Sequence, residues 1–258
     1  MRIIKNNLSN IGKAPCDCES NDGLPYVPKK PLPSKNFAML ISGAPASGKT
    51  NLLLQLLMSH PTKKNKEKPL YYYGLYDRIE LISPSMATLP SAFLKKLPDQ
   101  QKHMKFSNDL LEDIIESMYD GDNVNNLLVI DDSIRDISRS IPLSRVFLNR
   151  RHCTHNCEMV SETMPHTASL SIIVTSQKFS LLPLEFRNAL SDIIVFKSSN
   201  KSEINRLKDE VMFDLSPDVQ DQLLDEAWKE KYSFLYIKPN MPLNQKYYIK
   251  FDLVEFNN

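Results

Sequence analysis

Residues 43–50 read Gly43-Ala44-Pro45-Ala46-Ser47-Gly48-Lys49-Thr50, two glycines with four residues between them, closed by a lysine and a hydroxyl. In this pattern a loop of small residues turns successive backbone N–H groups inward, as a nest for phosphate oxygens. Lys49 supplies a point charge for the β- and γ-phosphates and Thr50 a hydroxyl for Mg²⁺. The helix that follows aims its positive N-terminal end at the anion. With Asn51 the candidate nucleotide-binding run covers residues 43–51, and the cofactors it implies are ATP and Mg²⁺.

A second chemical element lies at Asn126-Leu127-Leu128-Val129-Ile130-Asp131-Asp132, an apolar run ending in two carboxylates. It reads as a buried parallel strand. Asp131 is expected to hold Mg²⁺, usually through water, and Asp132 to polarise the water that attacks the γ-phosphate. Asp131 follows Lys49 by 82 residues, room for two more strand–helix crossovers. A third element is Leu170-Ser-Ile-Ile-Val-Thr-Ser-Gln177. Carboxyl ends of parallel strands line the ligand crevice, so Gln177 can sense the γ-phosphate or the attacking water; an ordinary capping amide is the other reading.

These residues need a sheet to position them. Ala38 to Ser42 is a strand candidate, and the leucine-dense Asn51 to Met58 is a helix to pack on it. Tyr76 to Pro84 reads as a second strand, preceded by Tyr71-Tyr72-Tyr73 as strand or core. Helices are expected over Ser107 to Met118, with acids in its first turns, and over Ser144 to His152. Asp192 to Phe196 is one more core strand. Helices near Ser202 to Glu210 and Ser216 to Lys229 follow, the latter with Pro217 at its start. Ser233 to Ile237 and Tyr247 to Phe251 read as an antiparallel extension. The expected fold is α/β: a mostly parallel central sheet with helices on both faces and a small C-terminal β extension.

A chain of 258 residues with 41% hydrophobic content can bury the core of one such domain. Residues 1–35 hold five of the 17 prolines and are set apart as an N-terminal arm, either a tail or a strap on a neighbour. The domain proper is 36–258, with a core at 37–196 and an extension at 197–258. A net charge of +1 gives no global basic field, so nucleic-acid contact would rest on local patches or on identical subunits summing their charge. No apolar stretch approaches the roughly 20 residues of a membrane span, so a soluble, intracellular protein is expected. Cys16, Cys18, Cys153 and Cys157 read as reduced thiols. Zinc held by Cys153, Cys157, His152, His155 and His166, with Cys16 and Cys18 as further candidate ligands, is the weaker reading, because the spacing matches no familiar motif.

Five segments, taken in order, resemble the genome-packaging ATPases of large eukaryotic DNA viruses, virophages and related mobile elements, the poxvirus-type branch of the FtsK/HerA P-loop superfamily. They are 43–50, Asp77-Arg-Ile-Glu-Leu-Ile-Ser-Pro84, 127–132, Asn149-Arg-Arg-His152, and Thr175-Ser-Gln177 with Leu182-Pro-Leu-Glu-Phe-Arg-Asn188. The resemblance implies a homo-oligomeric ring that hydrolyses ATP between subunits and drives double-stranded DNA into a preformed capsid, with capsid or portal proteins as partners. In such rings an arginine from one subunit reaches the γ-phosphate held by the next. Arg151, with Arg150 beside it, is the first candidate and Arg187 the second; either can instead be a surface or salt-bridging arginine. The chain departs from the pattern at Cys157 to Ala168, which separates the arginines from the next strand. A helicase-like enzyme and a small-molecule kinase are the competing readings, and a water-orienting amide at Gln177 suits a motor better than a kinase.

Overall fold

The computed structural model describes residues 24–68, 70–119, 125–133, 137–138, 140–150 and 169–256. Among these, six parallel strands form the larger part of the sheet: β1 (Ala38–Ser42), β2 (Arg78–Ile82), β3 (Lys102–His103), β4 (Asn125–Ile130), β5 (Ser169–Ser176) and β6 (Asp192–Phe196). Three antiparallel strands extend it: β7 (Phe234–Ile237), β8 (Tyr247–Ile249) and β9 (Asp252–Leu253). The order across the sheet is β3-β2-β4-β5-β1-β6-β7-β8-β9, which puts β1 between β5 and β6. The antiparallel extension expected at the C-terminus therefore continues the main sheet, and β9 is a strand the sequence reading did not include.

Strands covered on both faces read as continuous apolar runs rather than alternating ones, and the side chains divide by parity. Leu40, Leu128, Ile130, Ile172, Val174, Ile193 and Val195 point into one core. There they meet α3 (Asn108–Tyr119), α4 (Ile141–Asn149), α5 (Leu184–Asn188), α6 (Lys201–Val211) and α7 (Pro217–Ala227). Met39, Ile41, Leu127, Val129, Ile173 and Ile194 point into the other, against α1 (Lys49–Met58) and α2 (Ser91–Leu94). On α1 the buried set is Leu52, Leu53, Leu56 and Leu57, the i, i+1, i+4, i+5 stripe of a helix lying on a sheet.

Helix α4 begins earlier than the expected Ser144. Ser140 is its N-cap, accepting the Leu143 N–H at 3.1 Å, and Pro142 lies in the first turn. The helix ends at Asn149, so His152 falls outside it and outside the described residues. Tyr72 is core, as anticipated, although it sits in a turn and not in a strand.

The described part of the N-terminal arm is fastened to its own chain. Tyr26 donates its hydroxyl to the carbonyls of Tyr71 and Tyr73, both at 2.9 Å, and Tyr72 donates to Pro33 O at 3.0 Å. Pro31 O accepts from Tyr236 at 3.2 Å and from Lys238 at 2.8 Å. These last two donors also converge on the buried carboxylate of Asp192 at the start of β6, together with the Ser191 hydroxyl at 2.7 Å. Burial, and then the Asp192 charge, push the Tyr236 phenol well above its ordinary value, so it stays a donor. Asp192→Ala removes the common acceptor of three donors and is expected to cost about 2–4 kcal/mol, read as a lower urea midpoint. An unchanged midpoint would show that this junction contributes little.

Candidate functional site

Every candidate chemical group among the described residues that belongs to the loop or the carboxylate pair is delivered by the carboxyl end of a parallel strand. The loop leaves β1 at Gly43, whose N–H donates to Ser176 O at 3.0 Å and so keeps β1 and β5 paired to their last residues. The two glycines then serve different ends. Gly48, the N-cap of α1, has φ 111° and needs glycine for conformation. Gly43 needs it for space: a Cβ there would lie 2.7 Å from Phe196 Cβ and 2.6 Å from Ser47 Oγ. Ala44, Pro45 and Ala46 form the exposed crest, with Ala46 also in the left-handed region at φ 60°.

Lys49 opens α1 and folds back over the loop, donating from Nζ to Gly43 O at 2.6 Å and Ala44 O at 3.1 Å. Burial holds the pKa of this ammonium below the usual lysine value, against the opposing pull of Asp132 and Asp131. The carboxylates are therefore close enough to act on the charge that would meet phosphate. Thr50 and Asn51 follow on the exposed first turn of α1, and the Ser47 hydroxyl is enclosed without a hydrogen-bond partner.

Asp131 directly follows β4 and is buried. Its Oδ2 accepts from the Ser83 hydroxyl at 2.9 Å and its Oδ1 from the Thr175 hydroxyl at 2.7 Å. Thr175 Oγ1 also accepts the Asp132 N–H at 3.0 Å, so one hydroxyl on β5 sets the position of both neighbouring acids. Asp132 has φ 50°, and this left-handed turn sends its side chain outward while Asp131 stays in. Gln177 Nε2 donates to Asp132 Oδ2 at 2.9 Å. The amide and the second carboxylate, 45 residues apart in sequence, form one exposed pair beside the loop.

The residues suit the ion expected of them. Thr50 and Asp131 offer hydroxyl and carboxylate oxygens, the hard donors Mg²⁺ prefers, and each Asp131 oxygen spends one lone-pair direction on a hydroxyl and keeps another. Among the described residues no group of His, Cys, Asp and Glu is arranged to hold a metal. The zinc reading concerned Cys16, Cys18, Cys153, Cys157 and nearby histidines, all of which lie outside the described residues.

The arginines are less simply placed. Arg150, at the C-cap of α4, donates to Asn36 O and Phe147 O, both at 2.7 Å. Asn36 precedes β1, so this guanidinium lies at the opposite end of the strand from the loop, roughly 20 Å away at ~3.3 Å per residue. Arg187, on α5, makes a bidentate pair with Glu210, both contacts at 2.7 Å, and a further bond to Leu182 O. Both side chains are committed within their own chain. Arg151 lies outside the described residues.

Ser83 is a site residue that sequence reasoning missed. Its signal was positional: it follows the apolar end of β2 as Asp131 follows β4, and the two strands are neighbours. Thr175 stood in the recognised segment without a role of its own.

No protein-family model matches the chain, and no curated protein matches it by sequence. Among solved structures it is similar to the genome packaging NTPase B204 of Sulfolobus turreted icosahedral virus 2 in complex with sulfate. Identity is 16%, covering 87% of this chain and 100% of that one, with a TM-score of 0.55. The same NTPase in complex with AMPPCP matches at 14% identity over 85% and 99% of the two chains, TM-score 0.49. The cytoplasmic domain of the Thermomonospora curvata type VII secretion ATPase EccC matches at 15% identity over 86% of this chain and 24% of that one, TM-score 0.45. The chain thus has the P-loop NTPase fold. Within that class, one solved structure whose fold it shares is that of a viral genome packaging NTPase.

The Arg187–Glu210 pair sets a test of whether Arg187 holds the fold. Its side chain is 8% exposed and that of Glu210 27%. Arg187→Ala is expected to destabilise the isolated subunit by about 2–4 kcal/mol in denaturant unfolding, because it leaves Glu210 without its partner. Wild-type stability would show that the pair is dispensable to the fold and that the guanidinium is available elsewhere.

Proposed function

We propose that this chain is an ATP-hydrolysing motor that moves viral double-stranded DNA into capsids, working as a homo-oligomeric ring against capsid or portal proteins. The observation that carries the reading is the Gln177–Asp132 pair held beside the loop by Thr175. A carboxylate and an amide sharing one hydrogen bond can together fix and polarise a water, which phosphoryl transfer to water needs and transfer to a bound acceptor does not. This favours hydrolysis over a kinase-like role. Fold-level likeness to a genome packaging NTPase supports the choice of motor.

In this reading the loop N–H groups and Lys49 bind the β- and γ-phosphates. Lys49 exchanges the carbonyls of Gly43 and Ala44 for phosphate oxygens as the nucleotide enters. Thr50 and Asp131 would hold Mg²⁺, which when bound neutralises charge on the phosphates. Asp132 acts as the base toward water, and Gln177 orients both. The trans arginine is Arg151 in first place. Arg187 could serve only by leaving Glu210, and Arg150 only by leaving the Asn36 carbonyl.

Steady-state ATPase rate per subunit, measured against protein concentration with and without double-stranded DNA, tests this. The expected result is a steep rise with concentration and a further rise with DNA; a flat, DNA-indifferent rate with full turnover would overturn the ring motor. Lys49→Ala is expected to abolish nucleotide binding. Asp132→Asn should bind ATP with near wild-type affinity and lose hydrolysis by roughly 10²- to 10⁴-fold, the usual range for a general base. Thr175→Val, which removes the hydroxyl that both acids share, should lower turnover by ~10-fold or more while leaving affinity within a few-fold. Normal turnover in Asp132→Asn would remove the base assignment.

A further inference from the structure

The loop and the carboxylates account for the phosphate end of a nucleotide, and they leave unexplained a groove on the other side of α1. It is about 380 Å³ in volume, within the size range of small-molecule sites, and begins at Gly48 and Asn51, where the phosphate loop ends. One wall is the exposed stripe Asn51 and Gln55 of α1; the other is Lys231, Tyr232, Lys250 and Phe251 of the C-terminal extension. Its floor is a fixed aromatic cluster. Phe196 and Phe234 have ring centroids 5.3 Å apart, Phe234 and Phe251 5.4 Å, and Tyr71 and Phe251 5.5 Å.

Tyr232 differs from these rings. It is 55% exposed, and its backbone has φ 65°, a conformation in which an aromatic residue is an outlier. Its Cδ1 would stand 3.3 Å from a Cβ on Gly48, so the ring leans over the end of the phosphate loop. Lys231 Nζ lies 4.8 Å from the ring centroid, a cation–π contact on one face. Lys250 across the groove has φ 56° as well. Of the five non-glycine residues with positive φ among the described residues, Ala46, Asp132, Tyr232 and Lys250 all border the loop, the acids or this groove. Strain of that kind collects where a ligand is held.

We propose that this groove is the nucleoside subsite, with a purine base stacked on Tyr232 and its edge met by the Gln55 amide. The assignment rests on the reading of the loop as an ATP site and adds to it the residues that decide which base is accepted. An amide offers both a donor and an acceptor and can turn to present either. Aromatic stacking depends on the π-face that every base has. The subsite therefore favours purines for their larger face and separates adenine from guanine poorly, with ATP and GTP affinities within ~10-fold of each other.

The test is calorimetric titration of the full-length protein with ATP, GTP and inorganic tripolyphosphate, which has the phosphates without the nucleoside. Tyr232→Gly removes the ring while suiting the left-handed backbone, so folding is expected to survive, checked by thermal unfolding. It should weaken ATP by roughly 10- to 100-fold, the range for loss of one stacked base, and leave tripolyphosphate within 2-fold. Tyr232→Phe, which keeps the ring, should bind ATP within ~3-fold of wild type. ATP affinity unchanged in folded Tyr232→Gly, or an equal loss of tripolyphosphate, overturns the subsite and leaves the phosphate loop standing. Wild-type protein that binds neither ATP nor tripolyphosphate overturns the nucleotide reading itself, a separate result.

Discussion

Strand β1 is buried on both faces and hydrogen-bonded along both edges, and its carboxyl end sets where the phosphate loop begins. A parallel strand in that place has no freedom of register. Leu40 must enter one core and Met39 and Ile41 the other, and a slip of one residue would exchange them. The last residue of β1 is thereby fixed against Ser176 of β5 and Val195 of β6. The phosphate loop inherits this rigidity through the Gly43–Ser176 hydrogen bond, and Gly43 meets Phe196 at a distance that leaves no room for a methyl group.

On this frame, neighbouring strands cooperate through hydroxyls. Ser83 from β2 and Thr175 from β5 hold Asp131 from both sides of β4, and Thr175 also takes the Asp132 N–H. A buried carboxylate with two hydroxyl donors keeps its orientation, since the hydrogen bonds replace water lost on burial. The outer acid is reached by turning the backbone into the left-handed region at the next residue. Two adjacent aspartates thus occupy different environments, one enclosed and oriented, the other exposed and paired with an amide.

Much of this was legible in the sequence, and the reasons are physical. Runs such as Leu127–Ile130 and Ile172–Val174 are apolar without interruption because both faces of the sheet are covered, and this pattern separates them from amphipathic segments. The loop was legible because phosphate binding leaves few options for its residue types. Other features depend on contacts between distant segments. That Gly43 is required by Phe196, 153 residues later, has no local signature. Nor has the attachment of Arg150 to the Asn36 carbonyl, which turns a candidate for trans catalysis into a bond within the chain. The start of α4 could have been read from Ser140 and Pro142, a cap and a first-turn proline that the apolar pattern alone did not reveal. Tyr232 resembles any surface tyrosine until its φ and its lean over Gly48 are seen.

The sheet's margins carry one more consequence. Its outermost strands among the described residues, β3 and β9, are two residues long, and Asp252 and Leu253 of β9 are both exposed. So short an edge offers an approaching chain almost no row of unpaired N–H and C=O groups, the template by which sheets of separate molecules fuse. Copies of this protein meeting at these two described edges would gain almost no ladder hydrogen bonds. A contact between copies at these margins would rest on side chains instead, a kind of seam that can open and close.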